Sequence, residues 1–172
     1  MKILITCFSQ TGNTEKVARS MADALKGGHD VAMKKIEELQ KDGLSGYDLV
    51  FVGSPCHAGD LAGPVKELLS AIPAGLKTRV VGFLTHAATV YNKQDFEKCR
   101  MSFESILAEK KLALDDFFDC QGFLNPAIHD YVKKMKKIGD DEWKSRVEQM
   151  TGHPNEEDLI KAAAFARRVA GD

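Results

Sequence analysis

This 172-residue sequence has almost no net charge, no closely spaced cysteines and no long apolar run. Lysine and arginine together number 24 against 25 acidic residues, so the formal charge is −1 and lacks the basic excess that nucleic-acid binding requires. The four cysteines show no CxxC spacing, which argues against a zinc site and predicts reduced thiols. The apolar run Ile3 to Phe8 is too short to cross a bilayer, and no basic leader precedes it. We therefore expect a cytoplasmic protein that binds neither nucleic acid nor a membrane.

Short apolar runs alternate with stretches of helical periodicity. Ile3 to Ile5 and Leu49 to Val52 show no polar alternation, as expected for strands that are covered on both faces of a parallel sheet. This alternation predicts an α/β fold, a doubly wound sheet whose ligand crevice lies at the carboxyl ends of the strands. The predicted strands are Ile3–Phe8, Asp30–Met33, Leu49–Gly53, Val80–Leu84 and Phe117–Gly122, and the predicted helices are Thr14–Lys26, opened by Asn13 or Thr14, then Pro64–Ala71, Gln94–Lys110 and Glu156–Val169, with Asn155 and Asp158 forming the cap of the last.

Residues 124–154 break this rhythm. Val132 to Ile138 and Asp141 to Met150 have helical periodicity, so we predict a helical insertion before the last helix of a single domain covering residues 1–172. The lysine-rich run Lys133 to Lys137 is interpreted as a solvated helix face, and the weaker alternative is a docking surface for an acidic redox partner.

The loop after the first predicted strand carries hydroxyls, an amide and a glycine in six positions, Ser9-Gln10-Thr11-Gly12-Asn13-Thr14. Gly12 permits a tight turn, and the N–H groups at a helix start attract an anion such as a phosphate. The hydroxyls of Ser9, Thr11 and Thr14 are further donors. The loop has neither a GK[ST] tail nor a GxGxxG pattern, which argues against a binding site for a nucleoside triphosphate or a dinucleotide. An ordinary capping turn remains the alternative.

This loop fits the form (S/T)-x-T-G-x-T and resembles the phosphate loop of the flavodoxin family, and the resemblance extends over about residues 1–123 and the final helix. It implies a five-stranded parallel sheet of order 2-1-3-4-5 with helices on both faces, an order carried over from the family rather than derived. It also implies FMN as the cofactor. The residues expected to bind FMN are Ser9, Gln10, Thr11, Gly12, Asn13 and Thr14 at the phosphate, Pro55, Cys56, His57, Ala58 and Gly59 after the third strand, and Thr85, His86, Ala87, Ala88 and Tyr91 after the fourth.

Several residues of these loops could act on a bound ligand or metal. By resemblance, the Gly59 carbonyl turns toward flavin N5, but Ala58 stands where the family often places a tryptophan or methionine against the ring. Tyr91 either stacks on the flavin or covers a helix end. Cys56, His57 and His86 suggest a metal or thiol–imidazole site, but we assign neither, because no third spaced ligand or oriented base is evident.

Three functions remain open. The first is FMN-dependent electron transfer with a redox partner protein or a small electron acceptor. The second is an NAD(P)H-dependent FMN reductase acting on quinones, favoured by the small Ala58 and the nearly neutral charge. The third is a flavodoxin-like binding module without a cofactor. No catalytic residue is assigned.

Overall fold

A parallel β-sheet forms the centre of the fold and is covered by helices on both faces. The computed structural model describes residues 1–39, 43–87, 90 and 93–171. The strands are β1 (Lys2–Cys7), β2 (Asp30–Lys35), β3 (Leu49–His57), β4 (Asp60–Leu61), β5 (Arg79–His86) and β6 (Leu114–Gln121). The α-helices are α1 (Asn13–Leu25), α2 (Gly63–Ala71), α3 (Lys93–Glu109), α4 (His129–Lys136), α5 (Asp140–Met150) and α6 (Glu156–Ala170).

The strand order is β2-β1-β3-β5-β6, and all of these neighbours are parallel. Counted without β4, this is the predicted order 2-1-3-4-5, so the fold-class prediction is confirmed. The sixth strand, β4, was not predicted. It pairs antiparallel with the end of β3 through the two-residue turn Ala58-Gly59, whose φ angles are 52° and 88°. Positive φ at both positions is typical of a tight hairpin turn, but alanine is an unusual residue there and gave no sequence signal.

The missing polar alternation in β1 has a direct structural cause. Ile3 and Ile5 face a core formed with α1 and α6, whereas Leu4 faces a second core formed with α2 and α3. All three side chains are completely buried. A strand covered on both faces by helices has no position that favours a polar side chain.

The starts of two helices, α1 and α6, were predicted from their first residues and capping residues. α1 begins at Asn13, one of the two residues predicted to open it, and its N-cap is Gly12 in the left-handed conformation, which makes no side-chain cap hydrogen bond. The prediction for α6 is confirmed, because the side chains of Asn155 and Asp158 each accept a hydrogen bond from the other's backbone N–H.

The insertion contains α4 and α5, which begin slightly earlier than predicted and pack against the loop that follows β5. Val132 and Met150 form a small buried cluster with Ala87 and Val90. This cluster places the insertion beside the carboxyl ends of the strands, where the predicted ligand crevice lies. In the described part of the chain, each helix is too short or too polar to cross a membrane.

Candidate functional site

A cavity of about 420 Å³ opens at the carboxyl ends of the strands, a volume within the usual range for small-molecule sites. Four segments supply its walls. They are the α1 loop (Gln10, Thr11, Asn13, Thr14), the end of β3 (Pro55, Cys56, His57, Ala58), the end of β5 (Thr85, His86, Ala87) and the stretch from β6 into the insertion (Gly122, Phe123, Leu124, Asn125, Ile128, Tyr131, Val132, Met135).

The start of α1 carries backbone N–H groups of the kind that bind anions. The first residues of a helix lack intrahelical acceptors, and here the Ser9 hydroxyl accepts the N–H of Glu15 at 3.3 Å. The N–H groups of Gly12, Asn13 and Thr14 have no acceptor within the described ranges. Gly12 has φ 85°, which turns the chain sharply into the helix. The loop therefore has the donors that a phosphate requires.

Two hydroxyl groups of the same loop already make hydrogen bonds within the protein. The hydroxyl of Thr14 is buried and lies 2.8 Å from that of Thr85 on β5. The Thr11 hydroxyl accepts a hydrogen bond from the Asn13 amide, which also donates to the carbonyl of Phe123 at 2.8 Å. Because a hydroxyl that accepts a hydrogen bond still has its own hydrogen to donate, Thr11 remains a donor for a ligand. Asn13 ties the loop to the segment after β6.

The hairpin after β3 is held rigidly from outside the cavity. The Asp60 carboxylate accepts hydrogen bonds from Lys66 of α2, at 2.5 Å, and from Ser102 of α3, at 3.1 Å. Burial opposes ionisation of this carboxyl group, but these hydrogen bonds outweigh it and lower the pKa of Asp60. Because Asp60 follows directly after Ala58 and Gly59, its contacts fix the turn that borders the cavity.

His86 is oriented by two neighbours. Its Nε2 lies 3.1 Å from a carboxylate oxygen of Asp119, and its ring stacks on Phe96 with centroids 4.3 Å apart. Its Nδ1 is buried and has no hydrogen-bond partner among the described residues. A buried polar atom without a partner in the wall of a cavity suits a site that takes a polar ligand.

His57, in contrast, is exposed and contacts Phe8 edge to face, and partial desolvation lowers the pKa of its imidazole. Both histidines and Cys56 line the cavity, but no hydrogen bond joins Cys56 to either imidazole in the described part of the chain. Across the described ranges, no group of three or more histidine, cysteine or acidic residues is arranged to hold a metal ion.

The structure brings most of the predicted site residues to one cavity. The exceptions are Ser9, Gly12 and Gly59, which shape its loops without lining it, and Ala88 and Tyr91, which lie outside the described residues.

Sequence reasoning missed the whole wall contributed by the insertion. Ile128, Tyr131 and Met135 are large apolar side chains with 39%, 68% and 49% of their surface exposed, and all line the cavity. Their spacing of three and four residues places them on one face of a helix. This apolar face within a lysine-rich segment was the available signal.

Comparisons with known proteins agree with this architecture. The family model described as "Flavodoxin domain" matches residues 4–167. The flavodoxin-like domain-containing protein BilS of Clostridioides difficile (strain CD3) is 28% identical over 98% of this chain and 96% of its own length. An uncharacterized protein of Methanocaldococcus jannaschii is 25% identical over 91% of this chain and 89% of its own.

Solved structures show the same fold. Oxidised flavodoxin 2 from Bacillus cereus superimposes with a TM-score of 0.69 at 22% identity, covering 99% of both chains. A flavodoxin from Streptococcus pneumonia TIGR4 superimposes with a TM-score of 0.68 at 16% identity, again over 99% of both chains. The family model covers nearly the whole sequence and the phosphate loop fits the family's form, so this chain belongs to the flavodoxin domain family.

Proposed function

We propose that this protein binds FMN in the cavity at the strand ends and carries electrons between redox partners. The observation that supports this most strongly is the start of α1, where a left-handed glycine and three N–H groups that lack an acceptor among the described residues adjoin a cavity of suitable size. Flavodoxin-domain membership supports the same cofactor.

The residues present fit FMN in both charge and shape. The N–H groups of Gly12, Asn13 and Thr14, with the Thr11 hydroxyl, would bind the phosphate. The ends of β3 and β5, which place His57, Ala58, Thr85 and His86 in the cavity wall, would hold the flat ring. Bound FMN supplies the redox chemistry, and the protein contributes binding, orientation and the electrostatic environment.

The electron acceptor is either a protein or a small molecule. The nearly neutral charge of this chain gives no strong field to steer a charged protein partner. A second candidate function is therefore NAD(P)H-dependent reduction of a quinone or similar acceptor. The apolar face formed by Ile128, Tyr131 and Met135 favours it, because such a wall would bind a flat apolar molecule beside the flavin.

Absorbance spectroscopy tests both functions. The purified protein is mixed with FMN and desalted, and we expect the flavin bands to remain with the protein. The loaded protein is then titrated anaerobically with dithionite and, in a separate cell, with NADPH. Reduction by dithionite alone supports the electron carrier, whereas rapid bleaching by NADPH supports the reductase. Loss of all flavin on desalting would contradict both and favour the module without a cofactor.

A further inference from the structure

We propose that Cys56 and Cys99 form a reversible disulfide, a second redox site beside the cavity that reacts with small disulfides and thiols. The two cysteines are separated by 43 positions in the sequence, yet their sulfur atoms lie 3.4 Å apart. Cys56 lines the proposed FMN cavity, but neither the family match nor that site gives a role to Cys99 or to a bond between the two sulfurs.

Both cysteines lie in regular secondary structure, which fixes the positions of their backbones. Cys56 lies near the end of β3, in register with Leu61 of β4, and Cys99 lies in α3, which packs against β4. A disulfide requires the sulfurs to approach to about 2.05 Å, so they must move closer by about 1.35 Å. The proposal requires that rotation of the two cysteine side chains closes this distance.

The two thiols are not equivalent. Cys56 is half-buried and belongs to the cavity wall, whereas Cys99 is completely buried, so Cys56 is the more accessible of the two residues. The Cys99 thiol donates a hydrogen bond to the Cys56 sulfur, and this lowers the pKa of Cys56 and raises that of Cys99. The Gly59 N–H, which also points at the Cys56 sulfur, lowers the pKa of Cys56 further. Cys56 is therefore the attacking thiolate and Cys99 the resolving thiol.

The reaction with oxidised glutathione balances in two steps. The Cys56 thiolate attacks one glutathione sulfur, so a mixed disulfide forms and the first glutathione leaves as a thiolate. Cys99 then gives up its proton and attacks the Cys56 sulfur, which releases the second glutathione. Two protein thiols are oxidised to one disulfide, and one glutathione disulfide is reduced to two thiols that carry the two protons. Reduced glutathione in excess drives the reverse reaction.

Disulfide formation also affects the hairpin at the cavity. The Cys56 sulfur accepts the N–H of Gly59, and a disulfide sulfur is a weaker acceptor than a thiolate. Oxidation therefore loosens the contact that holds the Gly59 turn. That this turn faces a flavin rests on the proposed function, whereas the disulfide itself does not.

The other two cysteines provide matched controls. Cys7 and Cys120 are both buried, and burial raises the pKa of each thiol, that of Cys7 to about 12. Neither is expected to react with glutathione in the folded protein.

The test is equilibration of the full-length protein with mixtures of oxidised and reduced glutathione, followed by acid quenching, alkylation and mass spectrometry. We expect the wild-type protein to lose two hydrogens and to yield, after non-reducing digestion, one linked peptide pair containing Cys56 and Cys99. Cys99→Ala should stop at the mixed disulfide and gain one glutathione on Cys56. Cys120→Ala should form the disulfide as wild type does.

The proposal is overturned if the wild-type protein forms no Cys56–Cys99 link at any glutathione ratio, or if a link involves Cys7 or Cys120 instead. Circular dichroism shows whether Cys99→Ala folds, and the wild-type peptide map decides the question without that variant. FMN retention is measured separately on the reduced protein. A protein that forms the disulfide but binds no FMN would refute the proposed function and support the disulfide. A protein that binds FMN but forms no disulfide would refute the disulfide and support the proposed function.

Discussion

The hydrogen bond between Thr14 and Thr85 allows the structural and the ligand-binding roles of the phosphate loop to be separated. The two hydroxyl oxygens lie 2.8 Å apart, and the residues are only 1% and 4% exposed. Thr14→Val removes one partner and leaves the other hydroxyl buried without its hydrogen bond, which should lower the free energy of unfolding by about 1–3 kcal/mol. Thr85→Val should have a similar effect. Replacing both removes both polar groups, so the double variant should lose clearly less than the sum of the single losses.

Urea unfolding of the four proteins without FMN, followed by far-ultraviolet circular dichroism, measures this coupling. We expect an interaction free energy of about 1 kcal/mol or more. A double variant whose loss equals the sum of the two single losses would show that the hydroxyls do not interact.

FMN affinity should respond differently to the same variants. If the Thr14 hydroxyl also donates to the phosphate, Thr14→Val loses a hydrogen bond to a charged group, worth about 1.5–3 kcal/mol, or roughly 10- to 150-fold in affinity. Adding Thr85→Val to Thr14→Val should cost less stability than Thr85→Val alone does, and it should not recover the FMN affinity. Unchanged FMN affinity in Thr14→Val would refute the role of this hydroxyl at the phosphate.

Gly53→Ala should destabilise the protein by about 1–3 kcal/mol, because a Cβ there would lie 2.2 Å from the buried ring of Phe83. Gly63→Ala, whose Cβ meets nothing within 4 Å, is the control and should be neutral or slightly stabilising in the same urea titration. Asn155→Ala should lower the free energy of unfolding by about 1 kcal/mol through loss of the capping box, and an unchanged value would contradict this. The lowered pKa of Asp60 adds stability above the ordinary pKa of 3.8, and this contribution is lost as the pH falls through the folded-state pKa. Asp60→Asn should therefore be less stable than wild type at neutral pH, and the difference should shrink in unfolding measurements below about pH 3.8; a constant difference would contradict the account.

The centre of the parallel sheet could be predicted because β1 and β3 are buried on both faces. The runs Ile3 to Ile5 and Leu49 to Val52 contain no polar residue, and α1 between them has helical periodicity. The phosphate loop could be predicted because its donors are local, within six consecutive residues. Both features depend on neighbours in the sequence.

Features that depend on tertiary contacts were missed. The short strand β4 needs Ala58 at positive φ, a conformation that alanine rarely adopts and that the contacts of Asp60 help to hold. Cys56 and Cys99 meet only because α3 packs over the hairpin. The cavity wall from the insertion depends on α4 folding back over the strand ends, and the apolar spacing of Ile128, Tyr131 and Met135 does not show what that face covers.

The central claim is that the start of α1 holds the phosphate of a flavin. Titration of the flavin-free protein with FMN and with riboflavin, followed by quenching of flavin fluorescence, tests it directly because the two ligands differ only in the phosphate. We expect FMN to bind at least about 100-fold more tightly, since two or more charge-assisted hydrogen bonds are lost with riboflavin. Equal affinities for the two ligands, or no binding of either, would contradict the account.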